Sequence, residues 1–242
     1  MKVHRFIIDL PLFDHKEGDF VSVENKEIID QVKNVLKLKV GESIIILDGK
    51  LFEAEATIVH SIKDSLELLI GRISQNRKEI GMCVVLYASL LKKENFELVL
   101  QKTTEVGVSE IHPIISERTV KTGVREDRFL KIIKEAAEQS ERGYVPRLSS
   151  PQSFKDVCNI LSKEECVIMC DPRGEEWKNI DPWSGVSCVN ILIGPEGGWT
   201  DYEIEYGKKC GFCIVSLGSF VLRAETASII ASFLVGKLNK SS

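Results

Sequence analysis

The chain has 242 residues, 43% of them hydrophobic and 28% charged, with a formal net charge of −4. That length holds one large domain or two smaller ones, and that composition excludes a disordered or fibrous chain. No apolar run approaches the roughly 20 residues that span a bilayer. Charge does not advertise a polyanion binder either: the first 70 residues carry 9 Lys+Arg against 13 Asp+Glu, and the rest carry 23 of each, so any RNA contact must come from local patches.

In chain order, residues 3–9 alternate towards a strand, and Gly18 to Val23 is a second. Glu27 to Leu38 places Ile28, Ile29, Val32, Val35 and Leu36 at helical spacing, ending before Gly41. Ser43–Leu47, an Asp48-Gly49 turn, Phe52–His60 and Leu66–Ile73 read as short strands joined by tight turns, the pattern of a small β-barrel. Ser74 to Gly81 is polar, and the domain boundary is placed there, giving domains 1–73 and 74–242. Beyond it, strands at 82–88, 110–115, 167–170, 189–193 and 212–217 alternate with helices from Asn95 to Gly107 and from Arg125 to Glu141. Such alternation means an α/β fold with a mostly parallel sheet and helices on both faces.

Two strand ends in the last third deliver glycine-bearing loops. Val189 to Ile193 runs into Gly194-Pro195-Glu196-Gly197-Gly198, and a helix follows in which Thr200 and Glu203 have capping-box spacing, with Gly211 placed to stop it. Phe212 to Leu217 runs into Gly218, and a last helix begins near Glu225. In open α/β sheets ligands sit beyond the carboxyl ends of the strands, where glycine lets backbone groups approach closely. Neither a Gly-Lys-Ser/Thr phosphate loop nor a Gly-x-Gly-x-x-Gly fingerprint is present, which counts against ATP, NAD and a Rossmann-type methyltransferase. From chemistry alone, a tight turn without a ligand is an equal reading.

The loop Gly194-Pro195-Glu196-Gly197-Gly198, with Leu217-Gly218 and Leu222-Arg223-Ala224-Glu225-Thr226-Ala227 behind it, resembles the C-terminal signature of the RsmE family. The resemblance continues in Gln101 to Val108, in Ser116-Glu117-Arg118, in Glu135 to Arg142 and in Val145-Pro146, so it covers essentially the whole chain. Members are SPOUT-class, S-adenosylmethionine-dependent methyltransferases acting on N3 of one uridine in 16S ribosomal RNA of the small subunit. The resemblance implies a PUA-like RNA-binding domain at the N-terminus and a C-terminal trefoil knot holding the cofactor. It also implies a homodimer with a site at its interface. A knot is not derivable from pattern, since chains rarely thread.

On that reading Leu192, Ile193, Gly194, Pro195, Gly197, Gly198, Leu217, Gly218, Val221, Leu222 and Thr226 bind the cofactor, the apolar members sandwiching adenine. Arg223 steadies the uracil oxygens as negative charge builds. Glu225 is a base or a helix N-terminal carboxylate, and Glu196 is catalytic or holds its loop. Arg5, Lys33, Lys37, Lys39, Arg118, Arg142 and Phe220 are the expected RNA contacts, Phe220 by stacking on a base, with Arg118 and Arg142 alternatively facing a partner subunit or pairing with Glu117 and Glu141. Two departures stand out. Phe220 occupies a position where family members carry Arg, and Asp30, Gln31, Asn34 and Lys37 replace the family's His and Arg. Both bear on substrate identity, leaving open a different RNA site or a noncatalytic ribosome-assembly factor. His4, His15, His60 and His112 show no ligand spacing, so no metal is expected. Seven cysteines without framework spacing, Cys210-x-x-Cys213 included, and an N-terminus without a signal-peptide core lead to the expectation of a cytoplasmic protein with reduced thiols.

Overall fold

The computed structural model describes residues 3–76, 82–120, 123, 125–164, 166–179 and 185–238. It divides into two compact units.

The first unit holds the chain through the end of the fifth strand together with Ala137–Val145. Its strands are β1 (Arg5–Ile7), β2 (Phe20–Val23), β3 (Ser43–Leu47), β4 (Phe52–Ile62) and β5 (Ser65–Gln75), in the order β1-β3-β4-β5-β2. Only the β1–β3 pair is parallel. Alternating residues of these strands, among them Ile44, Ile46, Ala54, Ala56, Ile58, Leu66, Leu68 and Ile70, face one core. The Asp48-Gly49 turn forms as expected: Asp48 Oδ1 accepts from the Lys50 and Phe52 N–H groups at 2.7 and 3.0 Å, and Gly49 takes a φ of +67°.

The helix expected over 27–38 is shorter and mixed. An α-helical turn, α1 (Lys26–Asp30), is capped by the Asn25 side chain, and a π-helical turn follows over Gln31–Val35. Val32 stays buried while Val35 is 66% exposed, because the wider turn rotates Val35 off the apolar stripe. β5 runs on to Gln75, beyond the boundary expected after residue 73. Of the polar segment 74–81, residues 77–81 lie outside the described residues.

Segment 137–145 joins this unit through specific bonds. Glu138 Oε1 accepts the Ile7 N–H at 2.7 Å, and Asn76 Nδ2 donates to the Glu141 carbonyl at 3.1 Å. A Cβ on Gly143 would lie 2.5 Å from the Asn76 Cβ, so only glycine fits there.

The second unit is a sheet of seven strands: β6 (Cys83–Ser89), β7 (Glu110–Ile115), β8 (Arg147–Leu148), β9 (Gln152–Ser153), β10 (Val167–Glu176), β11 (Cys188–Ile193) and β12 (Cys213–Ser216). The order is β12-β10-β11-β6-β7-β8, with β9 also on β7, and every pairing is parallel. Its helices are α2 (Lys93–Glu105), α3 (Glu126–Gln139, of which residues 137–139 belong to the first unit), α4 (Phe154–Leu161), α5 (Asp201–Lys209) and α6 (Ala224–Leu238).

Period-two alternation sends strand residues to two faces. Val85, Tyr87, Met169 and Leu192 pack with Phe154, Val157, Trp199 and Ile204 from α4, α5 and the turn before α5. On the other side α6 lies against β6, β11 and α2. The chain leaves the edge strand β12 and returns with α6 to the central strands, the stretch in which the resemblance places the trefoil. A parallel sheet with helices on both faces is the architecture that the resemblance implies. The expected strand over 167–170 continues through a bulge to Glu176, and Gly174 permits it, since a Cβ there would sit 2.4 Å from the Val215 nitrogen.

Candidate functional site

Three strands end at the same edge of the second unit, and their loops build the site. The first loop follows β11. Its Gly194 lies flat against Trp199: a Cβ would meet the indole at 3.0–3.2 Å, and the indole Nε1 donates to the Cys170 carbonyl at 3.1 Å. Pro195 to Gly198 is closed by a 2.8 Å bond from the Gly198 N–H to the Pro195 carbonyl, with Gly198 at φ +67°.

Side chains then pin this loop from outside. Glu196 Oε1 accepts the Lys92 N–H at 3.2 Å, which places a carboxylate at the N-terminus of α2, where Lys92 itself offers no side-chain cap. Arg118 Nη1 donates to the Gly197 carbonyl at 2.8 Å. Thr200 and Glu203 form the expected capping box. Glu117 joins it: its N–H donates to Glu203 Oε1 at 3.0 Å, and its Oε2 accepts from Thr200 Oγ1 at 3.2 Å. The Ser116-Glu117-Arg118 motif therefore acts as a clamp on the glycine loop.

The second loop, 217–223, is held far less. Ser216 Oγ donates to the Gly218 carbonyl at 3.0 Å, and Gly218 turns at φ +142°. Phe220 and Val221 are each 85% exposed. Arg223 is exposed, and α6 starts at the next residue. Glu225 in its first turn is 7% exposed, and its Oε2 is buried without a hydrogen-bond partner. A buried unpaired carboxylate oxygen costs roughly 1–3 kcal/mol or more, so its retention points to a ligand.

The third element is the bulged end of β10. Asp171 is buried and gripped by Arg173, whose Nε and Nη2 donate to Oδ1 and Oδ2 at 2.7 and 2.9 Å. Burial pulls the Asp171 carboxyl upward, but the Arg173 guanidinium and N–H outweigh it and hold it below its ordinary value. Arg173 also reaches Asp201 at 2.5 Å and the Trp199 carbonyl at 3.1 Å, tying β10 to the start of α5.

Between these loops lies a cavity of about 590 Å³, within the range of small-molecule sites. Ile193, Gly194, Pro195, Glu196, Gly197, Gly198, Leu217, Phe220, Val221, Leu222, Arg223 and Glu225 all line it. Leu192, Gly218 and Thr226 do not. Leu192 alternates with Ile193, so it points into the α4–α5 core on the other face of the sheet. Lys92, Asn95, Cys170, Asp171, Pro172 and Trp199 line the cavity without having been anticipated. The signal for Cys170 to Pro172 was the end of a strand; nothing local marked Lys92 or Asn95.

Family membership rests on similarity along the chain. The RNA methyltransferase domain family matches residues 78–236, and the RNA methyltransferase PUA domain family matches residues 32–71. Ribosomal RNA small subunit methyltransferase E of Synechocystis is 31% identical, covering 97% of this chain and 84% of its own. The chain belongs to the ribosomal RNA small subunit methyltransferase E family. The Bacillus subtilis member is 29% identical over 95% of this chain and 94% of its own. The crystal structure of the Neisseria gonorrhoeae member bound to S-adenosyl methionine superposes with a TM-score of 0.89, at 28% identity and 98% coverage of both chains.

The residues expected to bind RNA fare differently in this family member. Arg5 is paired with Glu53 at 2.9 Å and lies 3.8 Å from Glu141. Lys33 Nζ donates to the Ile62 and Lys63 carbonyls at the β4–β5 hairpin. Arg142 is buried at 6% exposure, because its segment folds into the first unit. Arg118 is committed to Gly197. Lys37 and Lys39 are exposed. Among the described residues no helix is long and apolar enough to cross a membrane, and no three His, Cys, Asp or Glu side chains group as metal ligands.

Proposed function

We propose that this protein is an S-adenosylmethionine-dependent methyltransferase acting on N3 of a uridine in 16S ribosomal RNA of the small subunit. The observation that carries it is the cavity itself: a pinned glycine wall, an exposed arginine and a buried carboxylate with an unpartnered oxygen meet there. The residues fit the cofactor. Ile193, Leu217 and Leu222 supply apolar walls for a purine, and the 194–198 backbone supplies polar groups for its edge. When bound, S-adenosylmethionine supplies an electrophilic methyl group on a sulfonium.

The chain's own residues do the rest. The pinned loop fixes orientation, which can contribute roughly 7–11 kcal/mol to a displacement. Arg223 meets the uracil oxygens where negative charge develops. Glu225 Oε2 takes the proton that N3 gives up. The bond from the Lys92 N–H to Glu196 Oε1 supports a loop-holding role for Glu196.

The reading extends to a PUA-like RNA-binding domain over 1–73, a SPOUT methyltransferase domain over 74–242, a homodimer and a cytoplasmic location. Lys37 and Lys39, two of the exposed cations of the first domain, are offered to RNA phosphates. The test is transfer from labelled S-adenosylmethionine to small subunits from cells lacking this activity, and to protein-free 16S RNA, mapped by nuclease digestion and mass spectrometry. Label as 3-methyluridine at one position is expected. Cofactor binding without transfer to either substrate sinks the assignment. Light scattering at twice the protomer mass is expected, and an active monomer refutes the dimer.

A further inference from the structure

We infer that Phe220 is a stacking platform for a nucleobase of the RNA substrate at the mouth of the cavity. This rests on the function proposed above and names a residue that recognises its substrate.

Phe220 and Val221 are each 85% exposed, more than any other large hydrophobic side chain among the described residues. Burying a phenylalanine is favourable, so a ring left this exposed forgoes most of that stabilisation. The ring is not on a remote surface: it lines the same cavity as Ile193, Leu222 and Arg223. It stands three residues from Arg223, and Lys92 lines the same cavity, so two cations share that lining with an apolar ring. An aromatic face beside cations is the arrangement that holds single-stranded nucleic acid, the ring stacking on a base and the cations meeting phosphate.

The geometry also separates labour. Phenylalanine has no donor or acceptor, so it holds a base without reading its edge. Discrimination then falls to Arg223 and to the loop backbone. Among the described residues, the hydrogen bonds within segment 216–222 are those between Ser216 and Gly218.

Two other occupants are conceivable, the cofactor's adenine and a second copy of this chain, and the experiment separates all three. Fluorescently labelled oligouridylate is titrated by anisotropy in the presence of saturating S-adenosylhomocysteine, with the full-length protein and its Phe220→Ala, Phe220→Tyr and Phe220→Leu variants. Stacking contributes about 1–3 kcal/mol per base on alanine substitution, a 5- to 150-fold loss of affinity. Phe220→Ala is expected to weaken binding within that range. Phe220→Tyr retains it, and Phe220→Leu, which keeps area without a π-face, does not. The slope of affinity against salt stays unchanged, since no phosphate contact is removed. Unchanged RNA affinity in Phe220→Ala overturns the inference. So does a matching loss of S-adenosylhomocysteine affinity by calorimetry, which assigns the ring to the cofactor. A drop in light-scattering mass assigns it to a subunit interface and likewise overturns it. Methyl transfer by the unaltered protein is scored separately, so a failed activity assay counts against the function and a failed anisotropy contrast counts against the platform.

Discussion

The two loops that wall the cavity are built on opposite principles. Loop 194–198 is held at almost every residue: Gly194 by Trp199, Glu196 by the Lys92 N–H, Gly197 by Arg118 and the following turn by the Thr200–Glu203–Glu117 network. Loop 217–223 has the Ser216–Gly218 bond and exposed side chains beyond it. A wall that must present backbone to a constant ligand gains from rigidity, because preorganisation removes ordering cost. A wall that meets a large and variable partner keeps its side chains free until that partner arrives. Damage to the pinned loop should therefore weaken cofactor binding with chemistry spared, and loss of Arg223 or Glu225 at the end of the open loop should do the reverse.

The sharpest test is Glu225→Gln. Loss of a general base lowers kcat by about 10²–10⁴, and S-adenosylhomocysteine affinity should stay within a few-fold. Retained kcat would return Glu225 to a purely structural place in the first turn of α6. Arg223→Ala comes next: removal of a donor to developing charge costs about 10²–10³ in kcat, again with cofactor affinity kept. If calorimetry instead shows lost cofactor binding, the open loop is not the chemical one.

Gly194→Val tests the other wall. Its branched side chain starts 3.0 Å from the Trp199 indole, and overpacking of this kind costs roughly 1–3 kcal/mol. Cofactor affinity is expected to fall 5- to 150-fold while circular dichroism stays native. Normal affinity would mean that the wall adapts. Arg118→Ala removes one hydrogen bond to the Gly197 carbonyl, worth about 0.5–1.5 kcal/mol, so a two- to tenfold loss in cofactor affinity is expected, with no change in RNA affinity. A selective RNA defect would restore Arg118 to the substrate side.

The smallest effect concerns acid stability. The folded Asp171 carboxyl lies below its unfolded value, so the folded state binds its proton less readily. The stability it contributes is present above the ordinary carboxylate range and is lost as pH falls through the depressed folded value. Thermal melts taken from neutral pH into that range should fall more steeply for the unaltered protein than for Asp171→Asn. Parallel curves would show that the Arg173 grip is not coupled to stability.

Much of this was legible in the residues. The capping box at Thr200, the helix stops at Gly107 and Gly211, the Asp48-Gly49 turn and the alternation of strands and helices are local signals, and all of them form. Motif resemblance carried the two glycine loops, most of the cavity lining and the family. Local signals failed where one residue could serve either of two neighbours. Helical spacing over 27–38 could not show that a π-turn would expose Val35. Leu192 and Ile193 are both apolar and adjacent, and only the sheet decides which of them faces the cavity.

Residues within a turn of one another were enough to set most strands and helices and the Thr200 cap, because those depend on local hydrogen bonds and spacing, whereas the glycine loops were marked by resemblance. Only the tertiary structure decided which charges are free. Arg5, Lys33, Arg118 and Arg142 read alike as cations, yet one is ion-paired, two are bonded to carbonyls and one is buried. It also brought Lys92 and Asn95 to a cavity whose other lining residues begin at Cys170. A charge is spent or available according to the groups the fold sets beside it, and those come from distant parts of the chain.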